Sequence, residues 1–447
     1  MPLPRVWSIT GRDMIAILVG NALFILAMWV RHGGPDQLST PGGALVAIGQ
    51  VSALLGTYFA LIQLLLMSRM PWLEQAFGMD RLAVAHRWIG FATVWLIAAH
   101  GFFIIAGYGA GDGSSFLGEA WTILTTFDFV TLATVGFGIF VIVGITSMRA
   151  ARRALSYEAW FVLHLLAYLA IAFGFLHQLL VGADFLHDPL ARIYWTGLYA
   201  ITFGLLLAYR VISPIRLNAR HRFRVASVVS EGPGVVSIYI TGRNLGQLPL
   251  RSGQYFVWRF LDGSRWWSGH PFSISSAPNG NWIRTTVKAL GDDTRRYQHL
   301  AVGTRVLLEG PYGVLTGVRR TRRRVTLIAG GIGVTPLRAL VEALPGRPGE
   351  LTLLYRARHP KHVIFRRELE VLAEKRGVKV HYLVGRRGSI DLPEDPLDVF
   401  GIASLVPGIA DHDVYVCGPN EMMDRITETL GDLGVPPSRV HVERFAY

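Results

Sequence analysis

The chain has 447 residues, of which 51% are hydrophobic and 17% are charged, so it is too apolar for an ordinary soluble protein and too long for one domain. Its formal net charge is +13, but the basic residues show no basic-aromatic pattern of a nucleic-acid-binding module, which argues against a nucleic-acid partner. The single cysteine, Cys417, excludes an internal disulfide, a thiolate zinc site and a cysteine-bound iron–sulfur cluster.

The first 212 residues contain six apolar stretches, each close to the roughly 20 residues that a helix needs to cross a bilayer. We therefore predict six transmembrane helices and an integral membrane protein. The stretches are residues 13–30, 44–67, 84–107, 126–148, 157–181 and 190–212.

Basic residues predict the orientation of these helices, because loops rich in Arg and Lys stay on the cytoplasmic side. Arg69 and Arg81 flank the second loop, three arginines lie within residues 149–153, and five lie within residues 210–224. Both termini and everything after residue 212 are therefore expected in the cytoplasm, in a bacterial inner or plasma membrane. The loops expected on the outer face carry Asp36, Asp112, Glu119, Asp184 and Asp188 instead.

The composition changes after the sixth apolar stretch. From Phe223 to about Val318, short β-branched runs alternate with Gly and Pro turns, which predicts an antiparallel barrel. After the basic segment from Arg319 to Arg324, strand-like and helix-like stretches alternate, which is typical of a parallel α/β sheet. The predicted domains are an all-α membrane domain of residues 1–212, a barrel domain of residues 213–320 and an α/β domain of residues 321–447.

Four histidines lie in two of the predicted membrane helices. His86 and His100 are fourteen residues apart in the third helix, which is close to whole turns and about 21 Å along the axis, so they face one way at two depths. The fifth helix runs in the same direction and places His164 level with His86 and His177 level with His100. Two bis-histidine b-type haems stacked across the membrane suit these pairs. Packing, interfacial or proton-relay histidines are the alternative.

The stretch HPFSISSAP, residues 270–278, lies at a predicted strand end and offers an aromatic ring and a hydroxyl to a flavin. Between Lys288 and Thr294, a cation and a helix N-terminus are available for the pyrophosphate. An edge turn and a plain helix cap are the alternatives for the two motifs. The candidate FAD-binding residues are His270, Pro271, Phe272, Ser273, Lys288, Gly291 and Thr294.

Two further strand ends suit a nicotinamide nucleotide. VTLIAGGIGVTP, residues 325–336, runs from a strand through a glycine turn that allows close approach of a diphosphate. VYVCGPNEMM, residues 414–423, brings a cysteine to a second strand end, although a core cysteine before a turn is the alternative. The candidate residues are Gly330, Gly331, Gly333, Thr335, Pro336, Cys417, Gly418 and Pro419.

These motifs, in this order and spacing, resemble the ferredoxin–NADP reductase superfamily. With the histidine pairs, the chain resembles the NADPH oxidase and ferric reductase family over about residues 10–447, the strongest elements being HPFSISSAP, LEGPYG, GGIGVTP and CGP. The resemblance implies FAD, two b-type haems and NADPH or NADH as cofactors. The implied haem ligands are His86, His100, His164 and His177, with the two candidate sets above at FAD and at the nicotinamide cofactor.

The resemblance also assigns roles near the C-terminus. Glu443 and Phe445 match an acidic residue, a spacer and an aromatic that lies over the flavin; Tyr447 is an alternative for that ring, and we favour Phe445. Arg356 and Arg386 lie where the superfamily often binds a 2′-phosphate, which implies a preference for NADPH, although solvated loop charges are the alternative. Cys417, Glu443 and Phe445 are thus the implied catalytic residues.

The implied function is electron transfer from cytoplasmic NAD(P)H through FAD and two haems to an acceptor on the outer face. Oxygen, giving superoxide, is the favoured acceptor and a ferric chelate is the alternative. Animal superoxide-producing members carry a histidine where this chain has Ile104 and an arginine that its second helix lacks before Ser68, so delivery of electrons to the outer face is better supported than oxygen reduction. A transporter or structural membrane protein with a regulatory nucleotide-binding part is the alternative from another class. No oligomeric state follows from these residues.

Overall fold

The structure, a computed structural model, describes residues 11–182, 186, 188–263, 268–385 and 395–444, apart from the side chains at positions 149 and 157. These residues form two compact units that divide between Arg210 and Val211.

The first unit is helical, and six of its helices are long and apolar enough to cross a membrane, which confirms the six predicted spans. A π-helical segment, Leu207–Ile212, follows the last of them. The helices are α1 Gly11–Arg31, α2 Pro41–Leu66, α3 Pro71–Phe77, α4 Met79–Asp112, α5 Phe116–Thr126, α6 Val130–Ser147, α7 Arg149–Ala154, α8 Tyr157–Val181 and α9 Pro189–Leu206.

Short polar residues start several of these helices by accepting hydrogen bonds from otherwise unpaired amides. Thr40 accepts from the amide of Gly43 at 3.1 Å, Ser156 from Ala159 at 3.2 Å, and Asp188 from Leu190 at 2.8 Å. In α2 and α9 a proline occupies the first turn, where its missing N–H costs nothing.

Glycines allow α2 and α4 to pack closely. A Cβ atom on Gly42 would lie 2.9 Å from the carbonyl oxygen of Gly107, and one on Gly107 would lie 2.7 Å from the side chain of Val46. Small residues at such a crossing let two membrane helices approach backbone to backbone. Trp88 and Trp95 of α4, in contrast, are 68% and 73% exposed, as expected for side chains that face lipid.

The second unit begins with a helix, α10 Ser213–His221, and a six-stranded antiparallel sheet. An isolated bridge between Ile274 and Thr285 links the two edges of the sheet, so the predicted antiparallel barrel is present as a curled sheet that is not fully closed. The strands, in the order β4-β3-β6-β1-β2-β5, are β1 Arg224–Gly232, β2 Val235–Thr241, β3 Tyr255–Leu261, β4 His270–Ser273, β5 Ile283–Lys288 and β6 Arg305–Tyr312, with helix α11 Asp292–Arg296 after β5.

A five-stranded parallel sheet follows, as predicted, and apolar side chains bury both of its faces. Because β10 lies beside β7, their carboxyl ends meet at one edge, where ligands bind in open α/β sheets. In the order β11-β10-β7-β8-β9, the strands are β7 Val325–Gly330, β8 Leu351–Ala357, β9 Lys379–Val384, β10 Asp413–Cys417 and β11 Val440–Val442. The helices are α12 Val334–Ala343, α13 Arg366–Arg376, α14 Val399–Leu405 and α15 Asn420–Asp432.

Candidate functional site

The two histidines that the sequence places at one depth meet between α4 and α8. The ring centres of His86 and His164 are 5.8 Å apart, with their planes at 66°. Two imidazoles bound to one metal ion at about 2 Å have ring centres about 6 Å apart, so this spacing fits a shared metal. Ser147 Oγ lies 3.3 Å from Nδ1 of His164, and Trp160 stacks on the same ring at 5.1 Å. These contacts orient His164 with its Nε2 available to a ligand.

The second pair is oriented from α2. Nδ1 of His100 lies 3.1 Å from the carbonyl oxygen of Gly49. Since a carbonyl only accepts, Nδ1 carries the proton and Nε2 keeps its lone pair, which is the usual arrangement of a metal-binding imidazole. His177 lies close enough to His100 for the two imidazoles to interact electrostatically.

An orphaned nitrogen marks one of the same histidines. Among the described residues, Nδ1 of His177 is buried without a hydrogen-bond partner, whereas the backbone of Gln63 lies within reach of His86. Buried polar atoms are nearly always paired, so such exceptions are expected where a group outside the polypeptide belongs. In the part of the chain that the structure describes, no three metal-ligating side chains converge. The geometry fits the b-type haems that the sequence predicts.

The predicted flavin motif forms strand β4, and its first residue is tied to a distant turn. Nε2 of His270 lies 2.9 Å from Oδ2 of Asp293, which also accepts a 2.8 Å hydrogen bond from Ser268. Burial by itself raises the pKa of Asp293, but the hydrogen bonds from His270 and Ser268 bring it below its ordinary value. The ionised carboxylate thus connects the HPFS strand to the GDDT turn, and the two candidate FAD segments lie side by side.

The other flavin candidates differ in what they contact. Phe272 is half-buried with its ring edge-on to Tyr297, and its carbonyl accepts from Trp258 at 2.8 Å. Ser273 is buried, and its carbonyl accepts from Thr285 at 3.0 Å. This part of the strand is therefore fixed from the sheet side. Pro271 pairs with β3 beside them.

Thr294 closes the turn that is predicted to bind the pyrophosphate. Its Oγ1 accepts from the amides of Leu290 and Gly291, both at 2.9 Å. The Thr294 side chain therefore fixes the shape of the turn. The groups left to bind an anion are the other backbone amides of the turn and the side chain of Lys288. Lys288 is exposed at the end of β5.

The glycine turn after β7 and the CGP turn after β10 pack against each other. A Cβ on Gly333 would lie 2.3 Å from the carbonyl oxygen of Cys417, and one on Gly330 or Gly418 would lie within 2.8 Å of Met422. Only glycine fits at position 333, because the atoms that a Cβ would meet there belong to the backbone. Gly331 has a φ of 54°, and a Cβ atom placed on it would have nothing within 4 Å, so its backbone faces open space, as a nucleotide-binding turn requires.

The remaining residues of this motif support the turn. Thr335 donates to the carbonyl oxygen of Ile332 at 2.9 Å, and Pro336 lies in the first turn of α12. Pro419, in contrast, is exposed just before α15.

Cys417 and Glu443 lie at the ends of the neighbouring strands β10 and β11. Cys417 is fully buried, and burial raises the pKa of its thiol well above the ordinary range, with the Glu443 carboxylate raising it further. Glu443 accepts from the amide of Val314, which follows β6, at 3.3 Å. The acidic residue near the C-terminus thus joins the parallel sheet to the antiparallel sheet.

Arg356 is held at the ends of two strands. Its Nη1 donates to the carbonyl oxygens of Ala357 at 2.6 Å and Leu383 at 3.0 Å, which fixes the guanidinium at the carboxyl edge of the parallel sheet. Arg386, Phe445 and Tyr447 lie outside the described residues.

A cavity of about 690 Å³ opens at the end of the bundle where α2 begins and α4 ends. The oxygen of the Gln50 amide accepts from Trp29 at 2.9 Å and from Gln37 at 3.1 Å, which fixes one wall. Gln50 directly follows Gly49, the partner of His100. No Lys, Arg or His is among the described residues that line the cavity. The polar side chains in the lining are Gln37, Thr40, Gln50, Tyr108 and Asp112.

Of the other residues expected at this end, Asp188 pairs with Arg31 and His32 and caps α9. Asp184 lies outside the described residues.

Family models match three successive stretches of the chain. Residues 52–175 match a ferric reductase like transmembrane component, residues 220–316 an FAD-binding domain and residues 327–428 an oxidoreductase NAD-binding domain. These matches confirm the resemblance drawn from the motifs, and with it an integral membrane oxidoreductase that has FAD- and NAD(P)H-binding domains.

Individual relatives match about half of the chain. A flavohemoprotein of Chromobacterium violaceum is 32% identical over 243 residues, 50% of this chain and 60% of the flavohemoprotein. Ferredoxin–NADP reductase B of Sorangium cellulosum is 33% identical over 192 residues, 39% of this chain and 77% of the reductase. The chain spans between 57% and 60% of the length of three flavohemoproteins that it matches. A solved FAD/NAD-binding domain of nitric oxide dioxygenase from Vibrio cholerae gives a TM-score of 0.44 and 28% identity, over 50% of this chain and 97% of that chain.

Sequence reasoning missed the residues that orient the predicted ones. Gly49, Ser147 and Ser268 are small residues without a motif, and only their contacts with His100, His164 and Asp293 reveal them. The carboxylate within GDDT was the one available signal for the His270 contact, because a half-buried histidine calls for a partner.

Proposed function

We propose that this chain, which belongs to the ferredoxin–NADP reductase family and has the domain architecture of the ferric reductase and NADPH oxidase family, carries electrons across a membrane. The donor is NADPH or NADH, FAD and two b-type haems are the carriers, and the acceptor receives electrons at the opposite face. The proposal is carried by one observation. Two histidine pairs lie at two depths between α4 and α8, in a chain that also has FAD- and NAD-binding domains.

The chain's own residues have separate tasks in this proposal. His86 with His164 and His100 with His177 hold the two haems, and β4 with the GDDT turn holds FAD. When bound, FAD accepts two electrons as hydride and releases them singly to haem iron. Gly331 and Gly333 shape the turn for the nucleotide diphosphate, and buried Cys417 packs beside it without acting as a nucleophile, since a raised thiol pKa disfavours the thiolate.

The basic loops support a cytoplasmic dehydrogenase part and an acceptor site on the outer face. We place the acceptor at the cavity between α2 and α4, because Gln50 in its wall adjoins Gly49, which orients His100. From His100 to Gly107 in the lining is about 10 Å along the helix.

The composition of the cavity favours oxygen over an anionic ferric chelate. Asp112 is the charged side chain among its described lining residues, and no lining cation attracts an anion such as ferric citrate. A small neutral molecule is indifferent to this field. Oxygen, giving superoxide, is therefore the proposed acceptor, and ferric chelates are the second candidate.

The test uses detergent-purified protein reduced with NADPH under anaerobic conditions and then mixed with air or with ferric citrate. Reoxidation by air within seconds, with reduction of cytochrome c that superoxide dismutase suppresses, supports the proposal. If air takes minutes while ferric citrate takes seconds, the chain is a ferric reductase instead.

One substitution tests the place of the acceptor. Asp112→Asn removes a negative charge from the cavity and is expected to speed reoxidation by ferric citrate about fivefold, the scale of one screened charge interaction, while reoxidation by air is unchanged. Asp128→Asn, between α5 and α6 and outside the lining, is the matched control. Equal effects of the two substitutions contradict an acceptor site in this cavity.

A further inference from the structure

A chain of charges built on two buried arginines joins the antiparallel sheet to the helices around the parallel sheet. Arg284 on β5 is 1% exposed and makes two bonds to Glu368 on α13, from Nη1 at 2.7 Å and from Nη2 at 2.9 Å. Glu368 also pairs with Nε of Arg338 on α12 at 2.8 Å. Arg338 in turn pairs with Glu342, one turn further along α12. We call these four side chains the Arg284 network.

The network holds the backbone that follows the candidate flavin strand. Nη2 of Arg284 donates to the carbonyl oxygen of Ser275 at 2.7 Å, and Nη1 of Arg338 lies 3.3 Å from the same oxygen. Glu342 accepts from the amide of Ala277 at 2.6 Å. Ser275 and Ala277 continue directly from β4, so the segment SISSAP is fixed from both domains.

The same network reaches the candidate nucleotide turn. Helix α12 begins at Val334, directly after the glycine turn, and Arg338 and Glu342 lie about one and two turns into it. A helix moves nearly as a rigid body, so a shift of Arg338 against Ser275 shifts the glycine turn against the flavin strand. The same four charged side chains therefore hold both the flavin strand and the glycine turn, the two segments that are proposed to bind the reacting cofactors.

Further contacts hold the guanidinium of Arg284 in place. Its Nε donates to Ser275 Oγ at 3.1 Å, its Nη1 to the hydroxyl of Tyr239 at 3.2 Å, and its guanidinium lies 4.8 Å from the ring centre of Phe365. Phe365 has a φ of 58°, a left-handed conformation that is unfavourable for an aromatic residue. An ion pair between a buried arginine and a partly exposed carboxylate contributes little net stability, so fixing one geometry is the better explanation of this one.

We propose that Arg284, Arg338, Glu342 and Glu368 are positioning residues that set the distance and orientation between the nicotinamide and the flavin. They act through the backbone of Ser275 and Ala277 on one side and through α12 on the other. The inference concerns electron transfer from NAD(P)H to FAD, which lies within the proposed function but needs no haem.

The test compares Glu368→Gln with Glu370→Gln in the full-length protein. Glu370 lies two residues along α13 and is 56% exposed, in a loose 3.9 Å pair with Arg366, so its change is chemically matched. In anaerobic stopped-flow mixing with NADPH, flavin reduction is expected to slow by about 10- to 100-fold in Glu368→Gln and to be unchanged in Glu370→Gln. The dissociation constant for NADPH should change less than about twofold, while the long-wavelength charge-transfer absorbance falls.

A second readout needs no cofactor turnover. Without nucleotide, the amide of Ala277 should exchange hydrogen for deuterium faster in Glu368→Gln and faster still in Glu342→Ala, which removes the oxygen that accepts from this amide. Faster exchange with unchanged flavin reduction and charge-transfer absorbance overturns the proposal, because the network is then only structural. If Glu368→Gln loses FAD or does not fold, Glu342→Ala decides by the same two measurements. Flavin reduction by NADPH can be measured even in protein that lacks haem. A failure of the proposed transmembrane electron path can therefore be distinguished from a failure of this inference.

Discussion

Single hydrogen bonds decide what each candidate cofactor ligand can do. The carbonyl of Gly49 fixes the tautomer of His100, and the carboxylate of Asp293 fixes the ring of His270. In both cases a residue distant in the chain binds one ring nitrogen of the histidine, and the other ring nitrogen is left for other contacts.

At this scale, we predict that His100→Ala removes one of two haems. Alanine cannot bind the iron of the outer haem, whereas His86 and His164 still bind the inner haem. The haem content measured by the pyridine haemochrome assay should therefore fall from two haems per chain to one. Flavin reduction by NADPH should be unchanged. His32→Ala, at the loop after α1, is the control that should keep two haems. A wild-type protein with one haem or none refutes the assignment of the pairs.

Arg356 carries the prediction about nucleotide choice. If its guanidinium meets a 2′-phosphate, a charge-assisted contact there supplies about 1.5–3 kcal/mol, so Arg356→Gln should lower kcat/KM for NADPH by about 10- to 100-fold and leave NADH unchanged. Arg367→Gln, exposed on α13, serves as the control. Equal kcat/KM of the wild type for the two nucleotides would show that Arg356 only fixes the strand ends.

At the scale of elements, the close contact of two turns limits what the nucleotide site tolerates. The glycine turn after β7 and the CGP turn after β10 leave no room for a side chain at Gly333, although the two turns are about 85 residues apart in the chain. Their approach follows from the strand order, since β10 pairs with β7 in parallel.

Gly333→Ala should therefore destabilise this edge of the sheet. The new methyl group would meet the Cys417 carbonyl, which is backbone and cannot rotate away, at an expected cost of about 1–3 kcal/mol. NADPH should no longer reduce the flavin, while dithionite still does. In α15, Gly431→Ala meets nothing within 4 Å and should be neutral or stabilising, because alanine favours a helix. Unfolding midpoints of the two variants test this prediction. A Gly333→Ala variant with the wild-type midpoint would contradict it.

The sequence predicts elements better than their ends and their partners. Hydropathy identifies six spans, but α4 runs from Met79 to Asp112, well past the apolar stretch at 84–107, and its ends lie at Gly78 and at Gly113, which has a left-handed φ of 67°. Motif spacing likewise predicts the flavin and nucleotide turns. The Arg284 network is invisible in the sequence, since Arg284 and Glu368 look like ordinary surface charges until the fold brings them together.

At the scale of the molecule, one carboxylate connects the linker between the two sheets to the parallel sheet. Asp413 accepts from the amides of Thr321 at 2.6 Å and Arg322 at 2.5 Å, and His441 lies 3.1 Å from it. Burial alone raises the pKa of Asp413, but the amide of Arg322 and the His441 bond bring it below its ordinary value. Its contribution to stability depends on its remaining ionised.

Acid should therefore weaken the folded chain in a defined window. Because the folded-state pKa of Asp413 is depressed, its stabilisation is complete above about pH 4 and is lost as the pH falls through the folded value. Asp413→Asn should lower the melting temperature at pH 7 and flatten its decline below pH 4, as followed by release of flavin fluorescence. Asp411→Asn, exposed two residues earlier, should keep the wild-type decline. Parallel curves for Asp413→Asn and the wild type would exclude the carboxylate as the cause.

Because Cys417 is buried, the chain should react very little with thiol-specific reagents. Maleimides and other labels react with an accessible thiolate, and this sole cysteine offers neither access nor a low pKa. Cysteines introduced at exposed positions, such as Leu117→Cys in the first unit and Phe400→Cys in the second, can then carry a spin or fluorophore pair while Cys417 stays in place. The separation of the two units can be followed spectroscopically while the protein turns over.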